Sequence, residues 1–396
     1  MNRVILKRGR DESLRRFHPW VFSGAVAQVQ GSPAEGDIVG VYSAEGQFLA
    51  SGHWQVGSIA VRILSFDADP TAPGFWTDSI ARALAVREAV GLAGSEDTTC
   101  FRLVHGEGDG LPGLIIDWYD GVCVMQAHSA GMFRAKAQIC EALRTVFGER
   151  LKAVYDKCSG TAPFKAGLDL IDGYLWRAEG FTASETVVLE NGRRFLVNWE
   201  EGQKTGFFLD QRDNRALVGR YAAGRRVLNL FCYTGGFSIY ALTAGAAQVD
   251  SVDSSAKAMS LVERNISLNS DAAECNNYCE DAIEFLRKIP EGKYDLMIVD
   301  PPAFAKHRGA LHNALRAYQR LNAAAIAKVA PGGLVFTFSC SQVVDKITFA
   351  NTVFSAAAQT GRSVRILDRL CQGADHPVSI YHPEGEYLKG LLLYVE

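Results

Sequence analysis

From about residue 227 onward, short apolar β-like segments alternate with stretches of helical periodicity. The strand-like segments read VLNLF, VDSVD, CNNYC, DLMIVD, LVFTF and VRIL, and most are separated by helical patterns such as AKAMSLVERNISLN. Parallel neighbouring strands need crossover connections of a dozen or more residues, which are usually helices. The alternation therefore predicts an α/β fold with a doubly wound parallel sheet in the last part of the chain.

The first part of the chain has a different pattern. Residues 1–72 contain several short β-segments separated by Gly, Ser, Pro and Asp, which is typical of a small β-barrel or sandwich. The following region contains a helical segment, with Thr77 as its expected N-cap, then a hairpin, another helix and a strand. We therefore divide the chain into a β-domain at 1–72, a small α+β domain at 73–186 and a Rossmann-like α/β domain at 187–396.

Composition excludes several classes of protein. Hydrophobic residues make up 48% of the 396 residues and charged residues 21%, which rules out a wholly disordered chain. Polar residues or glycine interrupt every apolar run before the ~20 residues that a membrane span needs, and no apolar signal region is visible at the start. The nine cysteines include no C-x2-C pair or Cys/His cluster. We therefore expect a cytoplasmic protein without a bound metal or a disulfide framework.

Positive charge is concentrated in two stretches, although the formal net charge is −3. Residues 1–20 and residues 193–226 each carry an excess of four positive charges. Local basic patches on a mildly acidic protein suit a selective contact with a polyanion. An ordinary solvated surface has the same composition, so charge alone leaves both interpretations open.

Four short motifs follow the strand-like segments of the last domain in order. Gly235 begins a Gly-Gly turn between VLNLF and a helix, where a ligand can approach the backbone and the N–H groups of the helix N-terminus. Asp253 ends the next strand, where a carboxylate can hold two ribose hydroxyls. Asp281 follows a third strand, where it can meet an adenine edge, and Asp300 opens the DPPAF loop after a fourth. This order predicts a site for an adenosine-type cofactor.

The motifs FCYTGGFS, SVDSS, CEDAIEFL and DPPAF resemble the successive motifs of class I S-adenosylmethionine methyltransferases. Further motifs along the chain, HPWVFSG, GEGDGLPGLIID, GQKTGFFLDQRDNR, FTFSCS and PEGEYLKG, resemble the bacterial PUA-domain-containing family that methylates cytosine C5 in 23S ribosomal RNA. The resemblance implies an N-terminal PUA-like RNA-binding domain, a central domain and a C-terminal methyltransferase domain. It also implies S-adenosylmethionine as cofactor and ribosomal RNA as partner.

The resemblance assigns roles to individual residues. Cys340 in FSCS matches the nucleophile of that family, and Asp300 is the candidate for a contact with N3 of the base. Lys204 is expected to meet RNA, as are residues of the basic N-terminal stretch. The full set of expected cofactor residues is Gln211, Phe231, Tyr233, Thr234, Gly235, Asp253, Asp281 and Asp300, and the expected RNA contacts are Arg8, Arg10, Trp20 and Lys204. A tryptophan in a small β-domain is about as often a core residue, so the role of Trp20 stays open.

The chemistry of cytosine explains why a cysteine is needed. C5 is a poor nucleophile until a thiolate adds to C6 and makes the ring enamine-like, and a thiolate combines high nucleophilicity with ready departure. Cys340 follows an apolar strand 40 residues after Asp300, which places both at the same sheet edge. Cys232 is expected to line the cofactor pocket, while the role of Cys371 and the base that removes the C5 proton are left unassigned.

Two alternatives remain at this point. The D-P-P-[FYW]-like loop also fits methylation of a base nitrogen, adenine N6 or guanine N7, which needs no thiol. A non-catalytic RNA-binding assembly factor that retains the fold is the other alternative. The target nucleotide, the state of the RNA substrate and the oligomeric state, with a homodimer as one option, are not determined by the sequence.

Overall fold

The computed structural model describes residues 2–163, 166–269, 274–305 and 307–396. The chain forms two compact units. The first contains Met1–Val188, Val197–Leu209 and Ala374–Gly385, and the second contains Leu189–Leu196, Asp210–Gly373 and Glu386–Glu396. Within the described residues, none of the helices has both the length and the apolar surface required to cross a bilayer.

A six-stranded sheet with strand order β2-β6-β5-β4-β1-β3 forms the beginning of the first unit. The predicted short strands are confirmed, and their inward side chains form a small core around Val4, Val39 and Val61. The elements are β1 (Asn2–Leu6), α1 (Glu12–Arg15), β2 (Trp20–Phe22), β3 (Val26–Gln30), β4 (Ile38–Tyr42), β5 (Phe48–Trp54) and β6 (Ile59–Ser65).

A five-stranded sheet with strand order β11-β10-β9-β8-β7 forms the rest of the first unit. The elements are α2 (Phe75–Ala89), β7 (Cys100–His105), β8 (Leu114–Tyr119), β9 (Val122–Ala127), α3 (Ala130–Arg134), α4 (Lys136–Phe147), β10 (Ala153–Asp156) and β11 (Gly173–Arg177). The prediction of Thr77 as N-cap is wrong. The N-cap is Gly74, three residues earlier, because Gly74 adopts the left-handed conformation (φ 87°) that turns the chain into α2.

A two-stranded sheet of β12 (Glu185–Glu190) and β13 (Arg193–Asn198) follows. Its tip, residues Leu189–Leu196, belongs to the second unit. Glu190 is fully buried there and accepts hydrogen bonds from Arg215 at 2.8 and 2.6 Å. This ion pair is shielded from water and ties the tip to the first helix of the second unit, described next.

The second unit contains a seven-stranded sheet with strand order β16-β15-β14-β17-β18-β20-β19. Its core includes Leu228, Met297, Val335 and Leu393. The elements are α5 (Arg212–Ala222), β14 (Arg226–Leu230), α6 (Gly236–Thr243), β15 (Gln248–Asp253), α7 (Ala256–Asn269), β16 (Glu274–Cys279), α8 (Ala282–Lys288), β17 (Leu296–Val299), α9 (Leu311–Lys328), β18 (Gly333–Ser339), α10 (Lys346–Thr360), β19 (Val364–Leu370) and β20 (Lys389–Val395).

The predicted α/β class is confirmed, but the sheet is not wholly parallel. Strands β14 to β18 pair in parallel, whereas β20 pairs antiparallel with both β18 and β19. The sequence pattern did not identify β20, because KGLLLYV is a short unbroken apolar run that periodicity cannot assign to strand or helix. The burial of six of its seven residues reflects a position between two other strands.

Candidate active site

The carboxyl ends of five adjacent parallel strands carry the candidate catalytic and cofactor residues. Asp281 follows β16, Asp253 ends β15, the Gly235 turn follows β14, Asp300 follows β17 and Cys340 follows β18. Because these strands are neighbours and run in the same direction, their ends lie along one edge of the sheet. The structure therefore places these motifs side by side, in the spatial order of the strands.

The turn between β14 and α6 has an unusual backbone. Phe231 and Tyr233 are not glycines, yet both have positive φ, 59° and 48°. Such conformations cost free energy and occur where the surrounding structure demands them, often at functional sites. Gly235 has φ 81°, and a Cβ there would stand 3.2 Å from Val262. The carbonyl of Thr234 accepts a hydrogen bond from the buried Asn265 of α7 at 2.8 Å, which fixes the turn to that helix.

Asp253 is bound to this turn by its own carboxylate. Its Oδ2 accepts the backbone N–H of Tyr233 at 3.0 Å, and its Oδ1 accepts the N–H of Ser255 at 2.9 Å. Both carboxylate oxygens therefore help to shape the edge, and each retains lone pairs for a further donor. The half-buried side chain lies at the position predicted for a ribose contact.

Asp281 has a local role that the sequence reasoning missed. Its Oδ1 accepts the backbone N–H groups of Ile283 and Glu284, at 2.9 and 3.0 Å, so it is the N-cap of α8. Capping places the carboxyl at the positive end of the helix and leaves the residue exposed. A cap does not exclude an adenine contact, and the predicted role of Asp281 stays a prediction.

Asp300 is part of a chain of polar side chains. Gln211 donates from Nε2 to its Oδ2 at 3.0 Å, and Asn214 donates to Oε1 of Gln211 at 2.6 Å. Burial and the nearby Asp210 carboxylate raise the pKa of Asp300 to about 7, which the Gln211 hydrogen bond partly opposes. The sequence analysis did not assign Asn214, whose buried amide also donates to the carbonyl of Cys371 at 3.1 Å and so orients Gln211.

The strand end that carries Cys340 is held by hydroxyl groups. The phenol oxygen of Tyr318 on α9 lies 3.0 Å from Oγ of Ser339 and 3.1 Å from Oγ of Ser341. Ser341 also accepts the backbone N–H of Ala305 at 3.3 Å, which connects this turn to the DPPAF loop. Cys340 itself is partly exposed between the two serines. Sequence reasoning missed Tyr318, which lies in the middle of a helix with no motif around it.

The other cysteines differ from Cys340 in burial or position. Cys232 is buried, its Sγ lies 3.7 Å from Sδ of Met259, and burial raises the pKa of its thiol well above the usual range. Cys371 is exposed in the loop after β19, and burial of part of its side chain also raises its pKa. Cys100, Cys123, Cys140 and Cys158 are buried in the first unit. A buried neutral thiol is a poor nucleophile, so Cys232 and the four cysteines of the first unit fit a packing role.

The predicted RNA contacts all lie in the first unit. Arg8 and Arg10 are exposed, with 92% of the Arg8 side chain accessible. Lys204 is exposed in a left-handed turn (φ 55°). Trp20 is half-buried, and its indole N–H donates to Glu107 at 2.9 Å. The structure brings the catalytic and cofactor candidates together in the second unit, and these four basic and aromatic candidates belong to the other.

Comparison with known proteins identifies the family. The profile of a family described as S-adenosylmethionine-dependent methyltransferase matches residues 101–392, and that of a PUA-like domain matches residues 4–66. The ribosomal RNA large subunit methyltransferase I of Shewanella amazonensis is 41% identical over 99% of both chains, and that of Aeromonas hydrophila is 40% identical over 98% of both. The chain belongs to this S-adenosylmethionine-dependent methyltransferase family. The resemblance that its motifs indicated is confirmed.

Solved structures agree with the fold of this methyltransferase. A methyltransferase solved in complex with S-adenosylhomocysteine superposes with a TM-score of 0.84, at 22% identity and with full coverage of both chains. An S-adenosylmethionine-dependent methyltransferase of Streptococcus mutans superposes with a TM-score of 0.83, also at 22% identity and full coverage. At this level of identity the likenesses show that the fold is shared.

The edge of the large sheet also fits the cofactor of the methyltransferase family. S-adenosylmethionine carries a sulfonium and an ammonium group, and here burial together with the neighbouring Asp210 carboxylate disfavours the ionisation of Asp300 and raises its pKa. Oδ1 of Asp210 is buried and has no hydrogen-bond partner among the described residues, while its Oδ2 accepts from Tyr387 at 2.7 Å. An orphaned buried acceptor and an excess of negative charge are complementary to a cationic ligand.

Proposed function

We propose that this methyltransferase methylates C5 of a cytosine in large-subunit ribosomal RNA, through a transient bond between Cys340 and C6 of the base. The position of Cys340 carries the proposal. Its partly exposed thiol follows β18, next to the strand end that bears Asp300. A nucleophile needs access to its substrate and closeness to the cofactor edge, and Cys340 combines the two.

The proposed steps follow from the electronic structure of the base. The Cys340 thiolate donates its lone pair to C6, and the ring electrons move towards C5, which becomes a carbon nucleophile. Bound S-adenosylmethionine would offer an electrophilic methyl group to that carbon, and the electrons of the broken S–CH3 bond would remain on sulfur in S-adenosylhomocysteine. A base then removes the C5 proton, and the electrons of the C5–H bond expel the thiolate, which restores both the aromatic ring and Cys340.

Asp300 has two properties that suit a contact with N3 of the base. Its loop is connected to the Cys340 turn through Ala305 and Ser341. Its carboxyl group, with a pKa raised to about 7 by burial and by Asp210, is partly protonated near neutral pH. Its protonated form can donate a hydrogen bond to N3 as negative charge moves into the ring, while its ionised form favours the cationic cofactor. We propose this role for Asp300, with Gln211 orienting the carboxyl group.

The cofactor is proposed to lie along the ends of β14 to β17. Asp253 would receive the ribose hydroxyls and Asp281 the adenine edge, since both follow strands on the same side of β14. The backbone of that turn, with its left-handed residues and Gly235, leaves room for a ligand to approach closely. The remaining residues proposed to contact the cofactor are Gln211, Phe231, Tyr233, Thr234 and Asp300.

The substrate assignment has independent support from the relatives and from the first unit. The two relatives described above are named as large-subunit ribosomal RNA methyltransferases. The matched PUA-like domain and the exposed Arg8 and Arg10 suit a polyanion, and Lys204 offers a further exposed charge. We accordingly propose domains at 1–72, 73–186 and 187–396, and action on cytoplasmic RNA. Because C5 is inaccessible in a stacked helix, the target cytosine is expected to be unstacked or flipped out.

Replacing the nucleophile tests this proposal most directly. With unmodified large-subunit ribosomal RNA and labelled S-adenosylmethionine, Cys340→Ala should lower turnover on the order of 10³-fold or more. Cofactor affinity, measured by calorimetry, should change by no more than a few-fold. Cys371→Ala removes another exposed thiol of the same unit and should retain activity. Mass spectrometry of nucleosides should identify 5-methylcytidine as the product.

A trapping experiment separates the covalent route from nitrogen methylation. RNA containing 5-fluorocytidine should form a complex with the wild-type protein that survives denaturing electrophoresis, because fluorine at C5 blocks release of the thiolate. Cys340→Ala should form none. Methyl transfer by Cys340→Ala, with N6-methyladenosine or 7-methylguanosine as product, would contradict the proposal and support the base-nitrogen alternative.

A further inference from the structure

A buried lysine lies directly behind the turn that carries Cys340. Lys389 begins β20 and pairs in antiparallel register with Ser339, the residue before Cys340. Only 5% of Lys389 is exposed. Its Nζ donates to the carbonyl oxygens of Ser341 and Val344, at 2.6 and 2.7 Å. Lys389 therefore links β20 to both ends of the short turn that follows the cysteine.

The charge of Lys389 is incompletely compensated. Burial lowers its pKa to about 8, while the neighbouring Cys340, Asp345 and Glu386 favour the charged form and Lys346 opposes it. The two hydrogen bonds of this ammonium to described residues go to neutral carbonyls, and a buried ammonium in such surroundings gains stability from an anion nearby. The three candidates for such an anion are the two carboxylates and the thiolate.

The two carboxylates are already engaged elsewhere. Asp345 is the N-cap of α10 and accepts the N–H and the hydroxyl of Thr348, at 2.7 and 2.8 Å. Glu386 forms an ion pair with Lys346. On the opposite side of the cysteine, the phenol of Tyr318 on α9 is a neutral group, since burial raises its pKa. The thiolate of Cys340 is the anion whose formation Lys389 would assist most.

We propose that Lys389 is a positioning residue for the nucleophile, which holds the 341–344 turn in place and stabilises Cys340 in its thiolate form. The inference rests on the proposed role of Cys340. In the ionisation step the thiol gives its proton to solvent and keeps the bonding electron pair on sulfur, while the thiolate and the charged form of Lys389 stabilise each other. When the electron pair of the thiolate forms the bond to C6, the ammonium keeps its hydrogen bonds to the two carbonyls. It stabilises the thiolate again when that bond breaks.

The pH dependence of alkylation tests this role without RNA or cofactor. Full-length protein is treated with iodoacetamide over a series of pH values, and modification of Cys340 is followed by peptide mass spectrometry. In Lys389→Met, which keeps the length of the side chain and loses the charge, the midpoint of the alkylation profile should rise by about one pH unit or more, equivalent to roughly tenfold slower alkylation near neutral pH. Lys389→Arg, which keeps the charge, should shift it much less.

Two controls make the result decisive. Alkylation of the exposed Cys279 should have the same profile in all variants, and circular dichroism should report the same fold. An unchanged Cys340 midpoint in folded Lys389→Met would overturn the electrostatic role. If Lys389→Met does not fold, an unshifted profile in Lys389→Gln overturns it equally. Methyl transfer by Cys340→Ala would instead refute the nucleophile and leave the measured midpoint intact, so the two failures are distinguishable.

A second, independent observation lies in the first unit. The side chain of His382 is 4% exposed, and neither of its ring nitrogens has a hydrogen-bond partner among the described residues. Burying an unsatisfied donor or acceptor costs about 1–3 kcal/mol, so such a group calls for a ligand or a water molecule. The ring stacks edge-on against Trp20, with ring centroids 4.3 Å apart, and this packing restricts its orientation.

Two further metal-ligating groups converge on this histidine. Nε2 of His382 and Nε2 of His18 both lie 3.9 Å from Oε2 of Glu384. One ligand atom from each of the three residues lies within 4.8 Å of the other two. Nδ1 of His18 accepts the backbone N–H of Trp20 at 3.2 Å, which orients the ring with Nε2 towards the cluster, and Nε2 would lose its proton on binding a metal ion.

We propose that His18, His382 and Glu384 form a site for a divalent transition-metal ion of the zinc class. Two imidazoles and one carboxylate are a donor set that zinc accepts, with further positions left for water. Zinc bonds of about 2.0–2.2 Å require the three donor atoms, which lie within 4.8 Å of one another, to move closer together, and the exposed side chain of Glu384 is free to do so. The sequence analysis expected no metal, because the two histidines are far apart along the chain and join no Cys/His motif.

Zinc itself is the probe for the test. Full-length protein is stripped with EDTA, titrated with zinc sulfate in a calorimeter, and analysed for bound metal by mass spectrometry after dialysis. One equivalent should bind and raise the melting temperature, whereas His382→Gln and Glu384→Gln should weaken binding at least about tenfold. His312→Gln removes an exposed histidine of α9 and serves as the control. Zinc binding that is absent from the wild type, or equal in all variants, would overturn the site.

Discussion

The five-stranded region of the first unit and the carboxyl edge of the seven-stranded sheet differ in how their buried charges are compensated. In the first unit, Arg102 donates two hydrogen bonds to the carboxylate of Asp117, at 2.6 and 2.9 Å. Arg87 donates two hydrogen bonds to Asp109 in the same way. At the sheet edge, Asp300 has an amide and a second carboxylate as neighbours. Charges that stabilise a fold are neutralised by partners, whereas charges left uncompensated are available to a ligand or a reaction.

Breaking a neutralised pair should have the largest effect on stability. Arg87→Met leaves Asp109 buried without its partner and removes the hydrogen bond to the carbonyl of Asp375. We expect it to lower the free energy of unfolding by about 3–5 kcal/mol, measured by chemical denaturation. Arg82→Met changes an exposed arginine of the same helix and should have little effect. Equal losses in the two variants would contradict the comparison.

Removing the charge of Asp300 should have a smaller effect, and it should change cofactor binding. Because the pKa of Asp300 is raised to about 7, the carboxyl is mostly neutral at pH 6 and increasingly ionised at higher pH. A cationic cofactor binds the ionised form better, so wild-type affinity should increase from about pH 6 to about pH 7.5. In Asp300→Asn, calorimetry should find affinity about tenfold weaker at the higher pH and independent of pH across this range.

The same pKa has a consequence for stability that separates the two regions further. A carboxyl whose pKa is higher in the folded than in the unfolded state binds more protons when folded, so stability falls as pH rises from about 4 to about 7. Asp300→Asn removes this fall, and the cofactor-free variant should be more stable than the wild type near pH 8. A lower melting temperature of Asp300→Asn at that pH would contradict the uncompensated charge.

The smallest effect is expected at Asp281, which combines both kinds of role. Asp281→Ala should cost about 1 kcal/mol of stability because α8 loses its cap. Asp281→Ser keeps a capping hydroxyl, so stability should be nearly unchanged while cofactor affinity falls a few-fold. Unaltered affinity in Asp281→Ser would restrict Asp281 to the structural role.

Local patterns in the sequence were sufficient to predict most strands of the second unit, in their succession along the chain, and the motifs at their ends. The runs that became β14, β15 and β17 each bury both faces, so they read as apolar segments between helical stretches. The sequence pattern gave the wrong helix start, and missed one strand, where packing against other elements decides the local structure. Gly74 rather than Thr77 is the N-cap of α2. The segment KGLLLYV forms β20 because it pairs antiparallel with β18.

The sequence by itself determined the α/β architecture, the family and the placement of Asp300 and Cys340 at the same edge of the sheet, because periodicity and motif spacing are properties of contiguous residues. Only the tertiary structure placed Lys389 behind Cys340, Asn214 against Gln211, and His382 beside His18. These partners come from distant parts of the chain. Burial and charge, which decide how such groups ionise and what they bind, depend on the packed surroundings and cannot be read from the order of residues.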